Sequence, residues 1–469
     1  MDVQAPDRPR RSGSGKFPGR TRGVPNTAVS GIRIAETHGE GSMRNLFDRL
    51  GVIVFGVFLA VTSAFAQEIT YIKAGSLFNS RSGDVTRDAV IIVENERIIA
   101  IGAADTNIPD DARVIDLSSS FVLPGVMDMH THVVGNLDNY FFAGYFQSPH
   151  RATIGGVVNA EKTLMAGFTT IRNVGASDYA DVALRNAINA GEIPGPRLAV
   201  SGPSLGITGG HCDRNSLNAS FEERSDGVAD GPWAVREKVR KNVKYGADLT
   251  KFCATGGVFS KGTKVGMTQY TLEEMQAIVD ESHTHDRKVA AHAHGTEGIK
   301  RAILAGVDSI EHASFLDEEA IRMGIERGTY FVLDIYNTEY TLERGAENGV
   351  PEENINKERE VGTRQRQSFT MAVRMGARVA FGTDSGVYPH GDNGKQFARA
   401  VRFGMTPTQA IQSATSVTAD LLGWEDRVGE IAPGMYADII AVDGNPLEDI
   451  SELEDVDFVM KGGVVYKND

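Results

Sequence analysis

Residues 121–133 read FVLPGVMDMHTHV, an apolar run that closes on two histidines one residue apart. In an extended strand residues i and i+2 point to the same face, so His130 and His132 project together from the strand end. Two converging imidazoles are what a divalent cation takes as ligands. An exposed strand alternates apolar with polar residues, whereas this one is apolar almost throughout until the pair arrives. The segment therefore reads as a buried strand that delivers two metal-ligand side chains at its C-terminal end.

Downstream, apolar strand-like runs alternate with helix-like ones. The candidate strands are residues 126–129, 168–173, 197–201, 249–254, 288–293, 308–311, 330–334 and 377–381. Between them lie stretches such as GIKRAILAG and EEAIRMGIERG, which end on Gly, the usual helix stop. Eight strands separated by helices place the middle of the chain in the α/β class, as a (β/α)8 TIM barrel rather than an open sheet. That architecture puts chemistry at the C-terminal ends of strands, so reactive residues are expected to recur there. They do: Lys251 in DLTKFCATGG, His292 and His294 in KVAAHAHG, His312 in SIEHAS and Asp384 in VAFGTDSG.

The two ends share a different texture. ITYIKAGSLF and AVIIVENERIIAIG, with a tight turn at Asn95 and Glu96, form a small β module, and ADIIAVDG and DFVMKGGVVY repeat the pattern near the C-terminus. Residues 67–123 and 427–469 are thus expected to build one discontinuous β-sandwich domain around a catalytic barrel at 124–426. Residues 1–66 stand apart. The first 42 are rich in Arg, Gly, Pro and Ser, which reads as disorder and leaves Met1 and Met43 as alternative starts. Arg44 and Arg49, the apolar run at 51–61 and Ala64-Phe65-Ala66 then make a secretory signal peptide. The run is short for a bilayer span, so no stable membrane anchor is expected; cleavage near Ala66 implies a periplasmic or secreted protein.

Composition narrows the function. With 23% charged and 41% hydrophobic residues the chain is an ordinary globular protein, and a formal charge of -14 repels phosphate backbones and argues against a nucleic-acid partner. Two cysteines, Cys212 and Cys253, are too few for a disulfide scaffold, and their spacing does not decide whether they pair.

HTH after the first strand, Lys after the fourth, His after the fifth and sixth and TDSG after the eighth resemble the binuclear-metal pattern of the amidohydrolase superfamily, in order. KFCATGG, AAHAHG and IEHAS look most like the imidazolonepropionase-related branch that includes exported Xaa-Pro-type dipeptidases and the amidohydrolases that split ochratoxin A. The resemblance implies that His130, His132 and Asp384 hold one metal, that His292 and His312 hold a second, and that Lys251 bridges both as a carbamate formed from CO2. It implies two divalent ions, zinc first, with manganese or cobalt able to substitute, and a homo-oligomer. Asp384 would serve as general base and acid, and His211 in TGGHC would steady the oxyanion. His294 would lie near substrate; Tyr270, ahead of a helix, is a candidate for a substrate carboxylate or a packing tyrosine. His283 and His285 read as solvated helix-end residues, and His150 and His390 as loop candidates for pocket walls.

The expected reaction is hydrolysis of the amide of a small dipeptide or N-acyl amino acid, ochratoxin A included, with release of the C-terminal amino acid. Hydrolysis of an imidazolone or related ring is the alternative within the fold. A non-catalytic metal-binding barrel is the alternative outside catalysis.

Overall fold

The structure is a computed structural model and describes residues 69–135 and 148–469. The expected leader with its cleavage site, and the aromatic run DNYFFAGYF at 138–146, lie outside the described residues.

Four strands open the described chain: β1 (Ile69–Phe78), β2 (Val85–Glu94), β3 (Arg97–Gly102) and β4 (Arg113–Pro124). Asn95, at the β2–β3 turn, has φ 55°, a left-handed conformation that Asn tolerates better than most residues. The barrel strands follow as β5 (Val126–Thr131), β6 (Phe168–Asn173), β7 (Arg197–Val200) and β8 (Leu249–Cys253). Its second half is β9 (Lys288–Ala293), β10 (Ser309–His312), β11 (Tyr330–Val332) and β12 (Val379–Ala380). The chain ends with β13 (Ile439–Val442), β14 (Phe458–Lys461) and β15 (Val464–Asn468).

β5, β6 and β7 pair in parallel, as do β8 to β12. Backbone hydrogen bonds close both seams. At one, Met129 N–H donates to Phe381 and Thr131 bridges Ser385; at the other, Leu205 N–H donates to Lys251 and Cys253 N–H to Leu205. The α/β barrel expected from strand and helix alternation is therefore present. Between strands, helices stop at Gly306 and Gly328, which take left-handed caps, and one begins at Thr271, which forms a capping box with Glu274.

The ends of the chain meet in a seven-stranded sheet of order β15-β14-β13-β4-β1-β2-β3. Strand periodicity explains how this sheet joins the barrel, because alternate residues serve two cores. Ile440 and Val442 of β13, Val459 of β14 and Phe121 and Leu123 of β4 face the barrel's core. Their neighbours Ile439, Ala441, Phe458, Met460 and Val122 face a separate core shared with β1, β2 and β3. β4 continues after Gly125 into β5, so the sheet hands the chain directly to the strand that carries His130. Among the described residues no helix is long and apolar enough to cross a membrane.

Phe458 is 1% exposed and fills the second core. Phe458→Ala is expected to destabilise the protein by about 3–5 kcal/mol, read as a lowered midpoint in urea; an unchanged midpoint would show that the two ends do not share a core.

Candidate metal centre

The residues singled out at strand ends converge at one end of the barrel. β5 brings His130 and His132, β8 Lys251, β9 His292 and His294, β10 His312, and Asp384 follows β12. Asp384 Oδ1 lies 3.4 Å from His130 Nε2 and 3.3 Å from His132 Nε2. The His292 ring sits 4.5 Å from that of His312 and 4.7 Å from that of His294, centroid to centroid. Among the described residues, two groups have ligand atoms close enough to share an ion, His130 with His312 and Asp384, and His292 with His294 and His312. All six expected ligands, with His211 and His294, line one cleft of about 100 Å³.

The imidazoles are oriented through their other nitrogen. His130 Nδ1 donates to Glu311 at 3.0 Å and His312 Nδ1 to Asp334 at 2.8 Å; His294 Nδ1 bonds Ser314 Oγ at 2.7 Å and His211 Nδ1 bonds Ser260 Oγ at 2.8 Å. Tying Nδ1 fixes ring orientation and leaves the Nε2 atoms for a ligand. His292 Nε2 is buried with no hydrogen-bond partner, a state that costs energy unless something binds it. The small residue above it matters: a Cβ at Gly257 would fall 2.7 Å from that nitrogen. Burial, foremost, holds His130, His292 and His294 well below the usual histidine range and brings His211 down to about 3, so these rings are neutral and able to coordinate.

This donor set sits in a sequence whose residues 121–466 match the model of the amidohydrolase family. The chain belongs to the amidohydrolase family. A crystal structure of a Xaa-Pro dipeptidase with methionine bound in its active site superposes with a TM-score of 0.82 at 41% identity, covering 85% of this chain and all of that one. Ochratoxinase of Aspergillus niger is 32% identical over 434 residues, 87% of this chain and 89% of the relative. Imidazolonepropionase of Streptomyces griseus is 25% identical over 400 residues, 78% of this chain and 89% of the relative. The protein is a hydrolase of amide bonds, as its family and these relatives establish.

Several groups that hold this amidohydrolase site together escape local sequence patterns. Glu311, fully buried, binds His130 with Oε2 while Oε1 accepts from Arg172 at 2.7 Å and Ser309 at 2.5 Å. Arg172, 2% exposed, also donates to the Met129 carbonyl, so one guanidinium spans β5, β6 and β10. A charge inside each of the apolar strands FTTIRN and SIEH was the available signal. Asp128, two residues before His130, accepts from the His130 and Thr383 N–H groups, the Thr383 hydroxyl and Asn393, locking β5 to the loop that bears Asp384. Asn337 bridges Asp334 and Asp384 at 3.1 Å each. Burial acts to raise the Asp384 carboxyl, but neighbouring histidines, His132 by hydrogen bond and His312 by charge, help to outweigh it and hold the group well below the usual carboxylate range.

Other expectations meet a mixed outcome. Tyr270 is not on the cleft: it is 1% exposed, its ring packs edge-on against Phe252, and its hydroxyl donates to the Ala229 carbonyl. The core takes the ring and the backbone takes the hydroxyl, which corrects the substrate-carboxylate assignment in favour of packing. His283 and His285 lie at a helix end beside Asp308 and Glu281. His150 is exposed, and His390 is buried with Nε2 donating to the His132 carbonyl, so neither lines the cleft. Cys212 and Cys253 form a disulfide that joins the residue after His211 to the strand carrying Lys251.

Removing Arg172 would leave Glu311 as a buried charge without its cation. Arg172→Met is expected to cost about 3–5 kcal/mol of stability, measured by urea unfolding; a neutral effect would show that Glu311 does not depend on that partner.

Proposed function

We propose that the protein is an exported, metal-dependent hydrolase of the amide bond of dipeptides or N-acyl amino acids, releasing the C-terminal amino acid. The observation that supports this most is the convergence of imidazole nitrogens on Asp384 and Lys251, with His292 Nε2 orphaned inside the ring. In this reading His130, His132 and Asp384 hold one divalent ion and His292 and His312 the other, zinc in both positions. His294 lies near substrate.

Lys251 suits the bridging role. It is 3% exposed, and burial, ahead of the nearby Arg172, brings its ammonium down to about 8. A neutral amine is nucleophilic: its nitrogen adds to the carbon of CO2 and loses a proton, giving a carbamate whose oxygens carry the negative charge two cations require. Bound there, a pair of divalent ions supplies Lewis acidity, making water acidic near neutral pH and polarising the amide carbonyl.

The chain's own residues do the rest. Asp384, kept ionised and oriented by Asn337, takes the proton from the attacking water and delivers it to the amide nitrogen, which departs only as an amine. With the Ser260 hydroxyl donating to Nδ1, His211 presents Nε2–H to the oxyanion. A cleft of only about 100 Å³ favours a small substrate over a polypeptide. Similarity to a Xaa-Pro dipeptidase and to ochratoxinase supports a linear amide over an imidazolone ring. Export after cleavage near Ala66 and a homo-oligomeric assembly complete the proposal.

A panel of dipeptides, N-acyl amino acids and ochratoxin A, set against hydantoins, an imidazolone and lactones, tests the substrate class. Turnover of linear amides with release of a free C-terminal amino acid is expected; turnover confined to the rings would reject the reading. Asp384→Asn should lower kcat on the best substrate by about 1,000-fold with the folded fraction unchanged, whereas equal kcat per folded molecule would reduce Asp384 to a structural role.

A further inference from the structure

Glu358 has no role in the chemistry above, yet it lines the same cleft. It belongs to the helix Glu352–Arg374, where Glu358, Val361 and Gln365 share one face by their spacing and all three border the cavity. The N-terminal part of this helix is fastened over the barrel mouth. Asn354 donates to the Val258 carbonyl at 2.6 Å and Lys357 to the Ser260 carbonyl at 2.7 Å, and Val361 packs with Val258, Val265 and Phe315.

Glu358 itself is 3% exposed. Thr338 Oγ1 donates to its Oε1 at 2.5 Å, and among the described residues no Lys, Arg or His forms an ion pair with it. Its electrostatic neighbours include the carboxylates Asp334 and Asp384. Burial foremost, opposed by the Thr338 hydrogen bond and by the more distant His312 and aided by the two acids, pushes its carboxyl up to about 7. A buried carboxylate with no cation in direct contact is costly, and a glutamine would accept the Thr338 hydrogen bond equally well without that cost. Packing alone therefore does not account for an acid here.

We propose that Glu358 is the counter-ion for a positively charged group of the substrate, an ammonium or guanidinium carried on the part of the molecule that reaches beyond the scissile amide toward the helix Glu352–Arg374. This rests on the amide-hydrolase reading of the cleft and names a substrate class within it. The surroundings fit such a group. Val258, Phe259 and Val361 offer apolar walls for the carbon atoms that carry the charge, and the carboxylate waits among them. The same arrangement penalises an uncharged group at that position, because Glu358 would stay buried without its partner. The cation has two possible sources, a free α-amine or a basic side chain, and matched substrates separate them.

The test measures kcat/KM of wild-type holoenzyme, Glu358→Gln and Glu358→Asp on two kinds of pair: dipeptides with and without N-acetylation, and lysine-containing dipeptides against their norleucine counterparts. Wild type is expected to favour the charged member of at least one pair by about 30-fold or more. Glu358→Gln should abolish that preference and Glu358→Asp should keep part of it, and the pair that responds identifies the source of the charge. Because the readout is a ratio within one preparation, a merely structural role would lower both members together and leave the ratio intact, which would overturn the proposal. Wild type that turns over the panel with no preference for charge also overturns it, whether or not Glu358→Gln folds. Wild type inactive on every linear amide would instead reject the substrate reading on which the proposal stands.

Discussion

The site depends on carboxylates and hydroxyls that grip imidazoles from behind. Glu311 holds His130, Asp334 holds His312, Ser314 holds His294 and Ser260 holds His211, in each case through Nδ1. A ring held this way has one orientation and one nitrogen to offer, so His130 and His312 are set for coordination, and His294 and His211 for substrate, before any ion arrives. Glu311 is the most constrained of the four because its other oxygen is bound to Arg172, itself buried and bonded to the backbone of β5. One ion pair thus ties the strand of the HTH motif to the strand of His312.

Rigidity elsewhere makes this preorganisation affordable. His312, Ala313 and Asp384 have φ of 68°, 47° and 59°, left-handed values that L side chains resist. Such residues cost about 1–3 kcal/mol each and persist only where the surroundings over-determine them. Here the surroundings are a closed barrel of buried strands, a disulfide across the cleft wall, and a sheet from both chain ends that packs on the barrel with alternate residues. Two of these three positions, His312 and Asp384, bear side chains that line the cleft.

Much of this was legible in the chain. The HxH pair announces itself because strand periodicity puts both rings on one side, and the other ligand types are readable because each ends an apolar run. The barrel follows from the same count, and the discontinuous sheet from matching texture at the two ends. What failed was of another kind. Arg172 and Glu311 are 139 residues apart, and the cysteines 41, so no local spacing relates them. Tyr270 precedes a helix in a segment that reads as loop, and nothing in GMTQYTLEE tells that its hydroxyl has a backbone partner near residue 229. Glu358, inside EENINKERE, looks like one charge among many on a solvated helix; only the fold turns that face inward.

Whether these side chains form a binuclear centre is read from the metal content of purified protein by plasma mass spectrometry. Close to two divalent ions per chain, zinc foremost, retained through gel filtration, are expected. Fully active protein carrying no stoichiometric divalent ion would contradict a binuclear centre.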